Sequence, residues 1–189
     1  MRHFSSRDDF IDYVFQEFSD EIFRFSYTYV KRKDIAEDLT QEIFIKCYKN
    51  YHKFKSNSSI KTWIYSIAAN HCKDYLRSGY AKYVSLSEKI IHLVKGQSKN
   101  PEEIAIERDS SQMLTDYILT LPVKYREVIF LYYFKELKIS MIASTLKCNE
   151  NTVKSRLRRA KILLKEAICI EGGNEYGKEV KESCEKFLP

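Results

Sequence analysis

No apolar run in this 189-residue sequence approaches the roughly 18 residues that a membrane-spanning helix needs. We also expect no secretory signal, because Asp8 and Asp9 precede any long apolar stretch. No repeat with a period of about 20 to 50 residues is evident, which argues against a solenoid. From these absences we expect a cytoplasmic protein.

The five cysteines, at positions 47, 72, 148, 169 and 184, form no CxxC pair and no regular framework. Reduced thiols in a cytosolic protein are the simplest explanation. His71 and Cys72 are adjacent, but neighbours on a helix point about 100° apart, and no second pair exists to complete a zinc site. We therefore expect no metal site and no cofactor.

Glycine and proline are scarce, with five and three residues respectively, and their positions divide the chain. The non-periodic segment 79–109 contains Gly96, Pro101 and a polar Gln-Ser-Lys-Asn run, and it is longer than a usual connection. Helical periodicity on both sides predicts an all-α fold of two small domains, residues 1–78 and 110–170, joined by a flexible linker at 79–109. Residues 171–189 hold five acids against three lysines, so we expect an acidic, mobile tail.

Positive charge is concentrated near the C-terminus. Residues 151–165 contain six basic residues and no acid, whereas a solvated helix surface usually mixes both signs. An apolar stripe at helical spacing occupies one side of this segment: Val153, Leu157, Ala160, Leu164 and Ala167. The remaining surface suits phosphates and base edges, and its DNA-binding candidates are Thr152, Lys154, Ser155, Arg156, Arg158 and Arg159.

A shorter apolar segment precedes the basic helix. Its inward positions at helical spacing are Ile139, Ile142, Ala143 and Leu146, and a tight polar turn follows them. Short helix, turn and basic helix together predict a helix-turn-helix, whose second helix typically enters the major groove N-terminus first.

The N-terminal block predicts three helices, over residues 9–30, from residue 34, and from about residue 59 to residue 77. Their predicted inward positions, at helical spacing, are Phe10, Val14, Phe18, Ile22, Phe25 and Tyr29 in the first, Ile35, Leu39, Ile43, Cys47 and Phe54 in the second, and Trp63, Ile64, Ile67, Ala68 and Leu76 in the third. Acids near a helix N-terminus interact favourably with the macrodipole, by roughly 0.3 to 1 kcal/mol each, which alone would explain the acidic start of the second helix. Asp38, Gln41 and Glu42 share one face of this helix and equally suit docking on a basic protein surface. The docking candidates are Glu37, Asp38, Gln41 and Glu42.

The third helix combines an apolar side with a basic, amide-bearing one. Trp63 is best explained as a core residue. The polar side carries Lys61, Ser66, Asn70, Lys73 and Arg77, and the small, polar segment 56–59 precedes the helix. Such a surface suits single-stranded DNA, because bases can stack or be held in pockets while cations follow the phosphates. Sites of this kind also read a base that has been extruded from the duplex.

Three motifs, in order and at approximate spacing, resemble the extracytoplasmic-function group of bacterial RNA polymerase sigma factors. They are Ala36-Glu-Asp-Leu-Thr-Gln-Glu-Ile-Phe44, Lys61-Thr-Trp-Ile-Tyr-Ser-Ile-Ala-Ala-Asn70 with Asp74-Tyr-Leu-Arg77, and Thr152-Val-Lys-Ser-Arg-Leu-Arg-Arg-Ala160. The resemblance covers residues 8–78 and 110–168. It implies a non-enzymatic initiation factor with no small-molecule substrate, bound to core RNA polymerase and promoter DNA.

The resemblance also implies a role for each motif. The first would dock on the clamp of the largest polymerase subunit, and the second domain would contact the flap of the second-largest subunit. The basic helix would read the minus-thirty-five promoter element. The regulator that the resemblance implies would be an anti-sigma protein, usually anchored in the membrane. Capture of a flipped base and melted strand of the minus-ten element would involve Phe54, Ser59, Lys61, Trp63, Ser66, Ile67, Asn70, Lys73 and Arg77.

The sequence departs from this family at two positions near the helix-turn-helix. Lys138 and Met141 stand where similar proteins carry a Ser-x-x-Glu capping box, which leaves Ser140 to supply the capping oxygen. Lys147 occupies a turn position where the family favours glycine. A left-handed backbone there would strain the lysine by roughly 1 kcal/mol.

Two other interpretations compete with a sigma factor. A stand-alone helix-turn-helix regulator would use the N-terminal block for sensing or dimerisation, and it would bind its operator tightly without polymerase. Its dimer would need a self-complementary surface, but the sequence has no heptad seam. A nucleic-acid enzyme would need convergent carboxylates or a Cys/His metal set, and the acids of the N-terminal block instead follow helix exteriors.

Overall fold

The computed structural model describes residues 4, 6–54, 59–78 and 110–171, with only the backbone described for 110–113 and 169–171. The predicted linker 79–109, segment 55–58 and the tail from 172 onward lie outside these ranges. All regular structure within them is helical, which confirms the all-α prediction. The elements are α1 (Arg7–Val30), α2 (Lys33–Asn50), a 3-10 turn (Tyr51–Lys53), α3 (Ile60–Arg77), α4 (Ser110–Thr120), α5 (Val123–Ile129), a π-helical turn (Phe130–Phe134), α6 (Ile139–Leu146) and α7 (Glu150–Glu171).

Helix α1 begins and ends at residues suited to those positions. The Ser6 hydroxyl accepts a 3.0 Å hydrogen bond from the backbone N–H of Asp9, which satisfies one of the free donors of the first turn. At the other end Lys31 adopts a left-handed conformation, with φ of 57°, and its N–H bonds to the Tyr27 carbonyl at 2.9 Å. The predicted inward positions Phe10, Val14, Ile22, Phe25 and Tyr29 are buried, and Phe18 is half-buried.

Helices α1, α2 and α3 pack together into the first domain. The apolar positions predicted for α2 are buried: Ile35, Leu39, Ile43 and Cys47. In α3, Ile64 and Ala68 are buried as expected, but Tyr65, which periodicity did not select, is fully buried too. Its hydroxyl donates a 2.8 Å hydrogen bond to Glu21 of α1, which satisfies the polar end of an otherwise apolar side chain.

The second domain has its own smaller core between α4, α5 and α7, formed by Leu114, Ile118, Leu121, Ile129, Ala160, Leu164 and Ile168. The predicted stripe of α7 is therefore confirmed up to Leu164. The last member is wrong, because Ile168 is buried whereas Ala167 is half-exposed. Both residues lie within one turn of Leu164, and the larger side chain takes the inward position.

The turn geometry of the helix-turn-helix matches one expectation and contradicts another. Lys147 has φ of 53° and ψ of 49°, so the left-handed backbone considered for this lysine is present. Cys148 N–H bonds to the Ala143 carbonyl at 3.0 Å, as at many helix C-termini. The expectation for Ser140 is wrong: it lies inside α6, which is preceded by Lys138 and has no side-chain capping bond.

The two domains pack directly against each other. Helix α5 contacts α1, and α6 contacts α3. Phe130 of the π-helical turn lies beside Phe25 and Tyr65 of the first domain, with ring centroids 5.3 and 6.4 Å apart. The largest apolar cluster consequently includes residues of both domains.

Candidate nucleic-acid interface

The N-terminus of α7 is fixed by a side-chain cap. The Asn149 amide oxygen accepts hydrogen bonds from the Thr152 backbone N–H at 2.7 Å and from its hydroxyl at 2.8 Å. Behind this first turn, Val153 and Leu157 are buried against the rest of the domain. The cap and the apolar stripe together set which side of α7 faces solvent.

Four of the six residues predicted to bind DNA through α7 form one exposed surface: Lys154, Ser155, Arg158 and Arg159. Of these four, Ser155 also donates from its hydroxyl to the Thr152 carbonyl at 3.0 Å. The side chains of the remaining two residues are engaged within the protein. The Thr152 hydroxyl bonds to Asn149. Arg156 turns toward the domain interior, where its guanidinium donates a 2.9 Å hydrogen bond to Glu127 Oε1.

Two aromatic residues predicted at the downstream-element site belong to a cluster of rings. Phe54 and Trp63 lie 5.3 Å apart by centroid, and each also contacts the buried Phe10, at 5.2 and 5.8 Å. Both are half-buried. The core explanation for Trp63 therefore fits its surroundings, and Phe54 lies in the same cluster.

Two of the polar residues of α3 contact the second domain. Lys61 Nζ donates a 3.1 Å hydrogen bond to the Lys135 carbonyl, and Lys73 Nζ lies 2.9 Å from Glu127 Oε2. The Ser66 hydroxyl donates to the Trp63 carbonyl at 2.7 Å. Ile67 and Asn70 are half-buried, whereas Ser59 and Arg77, at the two ends of the helix, are exposed.

Glu127 is the central polar residue of the domain contact, with only 1% of its surface exposed. Its carboxylate accepts from the Tyr29 hydroxyl at 2.7 Å, from Lys73 and from Arg156. Burial and the adjacent Glu127 carboxylate raise the pKa of Tyr29 well above its ordinary value, so the hydroxyl remains a donor. Sequence reasoning missed Glu127 because glutamate is rarely buried and its partners are distant in sequence.

A second ion pair joins the domains at Glu21 of α1. Its carboxylate lies 2.7 Å from Lys135 Nζ and also accepts from the Tyr65 hydroxyl. Burial raises the pKa of Glu21, but hydrogen bonds from Lys135 and Tyr65 and the nearby charge of Lys61 outweigh that effect. The pKa consequently lies below its ordinary value of 4.5.

The four predicted docking residues all lie on exposed positions of α2. Glu37 forms an ion pair with Lys33 at 3.9 Å, and Glu42 Oε2 lies 2.6 Å from His71 Nε2. Sequence reasoning overlooked Ile45, whose side chain continues the face of Asp38, Gln41 and Glu42 by one turn and is 53% exposed. An isoleucine at an otherwise polar position of the helix was the sequence signal that could have identified this residue.

Residues 4, 6–54, 59–78 and 110–171 include no group of three or more His, Cys, Asp or Glu side chains arranged to hold a metal ion. Within the same ranges, no helix has the length and apolar character required to cross a membrane.

Comparison with known proteins assigns both domains to one family. The protein-family model for Sigma-70 region 2 matches residues 14–81, and the family model for Sigma-70, region 4 matches residues 111–164. The ECF RNA polymerase sigma factor SigM of Bacillus subtilis (strain 168) is 34% identical over 156 residues, which cover 82% of this chain and 93% of that protein. The chain belongs to the ECF sigma factors.

Other relatives agree with this assignment. The ECF RNA polymerase sigma factor SigW of Bacillus subtilis (strain 168) is 31% identical to this sigma factor, over 86% of the chain and 90% of the relative. Among solved structures, the sigma factor RpoE in complex with the anti-sigma factor NepR from Bartonella quintana shares the fold, with a TM-score of 0.60 and 20% identity. That match covers 85% of this chain and 97% of RpoE.

Membership of this family establishes the general activity of the protein. The protein is an alternative sigma factor that binds core RNA polymerase and directs promoter-specific transcription initiation. The interpretation as a stand-alone regulator is not favoured.

Proposed function

We propose that the sigma factor reads a bipartite promoter with two separate surfaces and docks on polymerase with a third. The exposed residues Lys154, Ser155, Arg158 and Arg159 of α7 contact the upstream element. The polar side of α3 handles the melted downstream element, and the acidic face of α2 binds the clamp of the largest polymerase subunit. The protein itself performs no catalysis and acts in the cytoplasm.

The observation that carries this proposal is the orientation of α7. The buried stripe and the Asn149 cap leave three cations and the Ser155 hydroxyl exposed on one surface of α7. These groups lie toward the N-terminus of α7, which is the end of the second helix that enters the major groove in a helix-turn-helix. Arginine suits bidentate contact with guanine, and lysine suits phosphate. Arg156 acts by holding α7 against Glu127.

The assignment of α3 to the downstream element rests on the chemistry of its side chains and not on an open pocket. Lys61, Lys73 and Arg77 provide cations for phosphates, and Asn70 provides both a donor and an acceptor for a base edge. Phe54 and Trp63 support this surface from the aromatic cluster behind it. Unstacking a base costs a few kcal/mol, which base recognition on α3 would offset.

The docking face combines charge with one apolar anchor. Glu37, Asp38, Gln41 and Glu42 lie on the exposed surface of the second and third turns of α2, and Ile45 follows on the same side. A mixed surface of this kind fits a basic partner helix that also makes a small apolar contact beside its charged one. An anti-sigma protein is a further proposed partner, because the related RpoE is found in complex with the anti-sigma factor NepR.

A crossed promoter experiment tests the two DNA assignments. Arg159→Ala and Asn70→Ala are compared in transcription reactions with purified core polymerase on promoters altered at either element. Arg159→Ala should lose discrimination at the upstream element by about 1 to 3 kcal/mol, and Asn70→Ala only at the downstream element. Lys165→Ala, an exposed cation farther along α7, is the matched control. Equal losses of both variants at every promoter would refute the assignments.

A further inference from the structure

Glu42 differs from the other acids of the docking face because a second helix holds its side chain. Glu42 Oε2 lies 2.6 Å from Nε2 of His71, which belongs to α3 and is 29 positions away in sequence. The His71 side chain is only 11% exposed, whereas 58% of the Glu42 side chain is open to solvent. A nearly buried ring therefore positions one oxygen of an exposed carboxylate.

The surroundings of the His71 ring decide which of its nitrogens carries a hydrogen. An ionised carboxylate only accepts, so Nε2 must be the donor to Glu42. Nδ1 is buried and has no hydrogen-bond partner in the part of the chain that the structure describes. A hydrogen on Nδ1 would leave an N–H group unpaired away from water, which is unfavourable. The favoured form of His71 is therefore the neutral tautomer with its hydrogen on Nε2.

A neutral donor orients Glu42 without cancelling its charge. The carboxylate of Glu37, by contrast, lies 3.9 Å from the ammonium group of Lys33, which offsets its charge in part. Lys46 follows Glu42 by one turn of α2 but forms no ion pair with it, and His71 is the only polar partner of the Glu42 side chain within the described ranges. Glu42 Oε1 is consequently a charged acceptor at a defined position.

We propose that Glu42 is the preorganised electrostatic anchor of the docking face and that His71 is its positioning residue. Glu42 Oε1 accepts from a cationic side chain of the basic polymerase helix proposed above. Because the carboxylate is ordered before the contact forms, less conformational entropy is lost on binding. His71 acts through Glu42 and not by contact with polymerase. This inference rests on the docking role proposed for α2.

A double-mutant cycle in the full chain tests whether His71 acts through Glu42. His71→Leu removes the donor and keeps apolar volume at a nearly buried position. Affinity for purified core polymerase is measured by competition with labelled sigma factor, both in the wild-type background and in Glu42→Ala. His71→Leu should weaken binding about fivefold in the first background and have no effect in the second. His52→Leu, at an exposed histidine, is the control and should bind like wild type.

His71→Gln separates positioning from packing. Glutamine places an amide donor near the position of Nε2 but lacks the ring, so it should restore most of the affinity that His71→Leu loses. If His71 were only a packing residue, both substitutions would weaken binding in proportion to their loss of thermal stability. That result would overturn the proposal.

Two further results of the cycle have different meanings. An equal loss from His71→Leu in both backgrounds would show that His71 does not act through Glu42, and it would overturn this inference alone. If Glu42→Ala bound core polymerase as tightly as wild type, the docking role of Glu42 would be refuted instead. The two failures are therefore distinct.

The tautomer of His71 can be measured in the wild-type protein, which keeps the proposal testable if His71→Leu does not fold. NMR of the histidine ring nitrogens near neutral pH distinguishes a nitrogen that carries hydrogen from a bare one. His71 should have hydrogen on Nε2 and none on Nδ1, whereas the exposed His52 should exchange between both tautomers. Exchange at His71 as well, or hydrogen on both of its nitrogens, would contradict the proposed positioning.

Discussion

The hydroxyl of Tyr29 donates a 2.7 Å hydrogen bond to the carboxylate of Glu127, although the two residues are 98 positions apart in sequence. Tyr29 belongs to the first domain and Glu127 to the second, so this bond contributes to folding only when the domains are in contact.

Replacing Tyr29 with phenylalanine removes that donor and preserves the ring. Because Glu127 keeps Lys73 and Arg156, we expect a loss of about 1 kcal/mol in the free energy of unfolding, measured in urea. Tyr132→Phe, at an exposed position, is the control and should change little. A double-mutant cycle with Glu127→Gln should show coupling, and additive effects would mean that the hydrogen bond contributes nothing.

The Glu21 carboxyl should make stability depend on acid pH. Its pKa is lowered in the folded protein by Lys135, Tyr65 and Lys61, so its stabilising effect is present above its ordinary pKa of 4.5. That effect is lost as the pH falls from there through the lowered pKa. Glu21→Gln should therefore be less stable than wild type at pH 7, and the difference should shrink below pH 4.5. A difference that is independent of pH would contradict the charged role of Glu21.

Ile45→Ala should weaken binding to core polymerase without affecting folding. Its side chain is 53% exposed on the docking face, so little buried packing is lost when it is truncated. We expect a loss of about 1 to 2 kcal/mol in binding free energy by a competition assay with labelled sigma factor. The control is Ile162→Ala, an exposed isoleucine on α7. Equal affinity of wild type and Ile45→Ala would place the docking contact elsewhere.

Two of the thiols should be protected from alkylation. Burial raises the pKa of Cys47 and of Cys72 to about 12, so both remain protonated and inaccessible near pH 8. Cys148 is partly exposed. Mass spectrometry after brief iodoacetamide treatment should find Cys148 modified before Cys47 and Cys72, which should react only on unfolding. Rapid labelling of Cys72 in the folded protein would show that α3 opens locally.

Helical periodicity predicted most of the fold because each helix buries one stripe. Val153, Leu157 and Leu164 could be selected from their spacing alone. The same rule wrongly selected Ala167, whereas Ile168 is the buried residue. Helical spacing of 3.6 residues places both near the stripe, and side-chain size decides between them. Tyr65 was missed because its polar end is satisfied by Glu21, a contact that spacing within one helix cannot reveal.

The residues of the candidate site could be predicted only where their positions follow from spacing within a single helix. The exposed cations of α7 and the acids of α2 lie where their spacing placed them. The partners of Lys61, Lys73 and Arg156 were not predictable, because each bond joins residues that are 29 to 74 positions apart. Pairing over such distances depends on how the helices pack, and no local pattern encodes it.

Transcription by purified core polymerase on a library of promoter sequences tests the central claim most directly. With the sigma factor present, transcripts should begin downstream of one shared two-part motif, and Arg158→Ala with Arg159→Ala should abolish selection of its upstream half. The contradictory result is initiation no higher and no more selective than with core polymerase alone, together with specific duplex binding by the free protein.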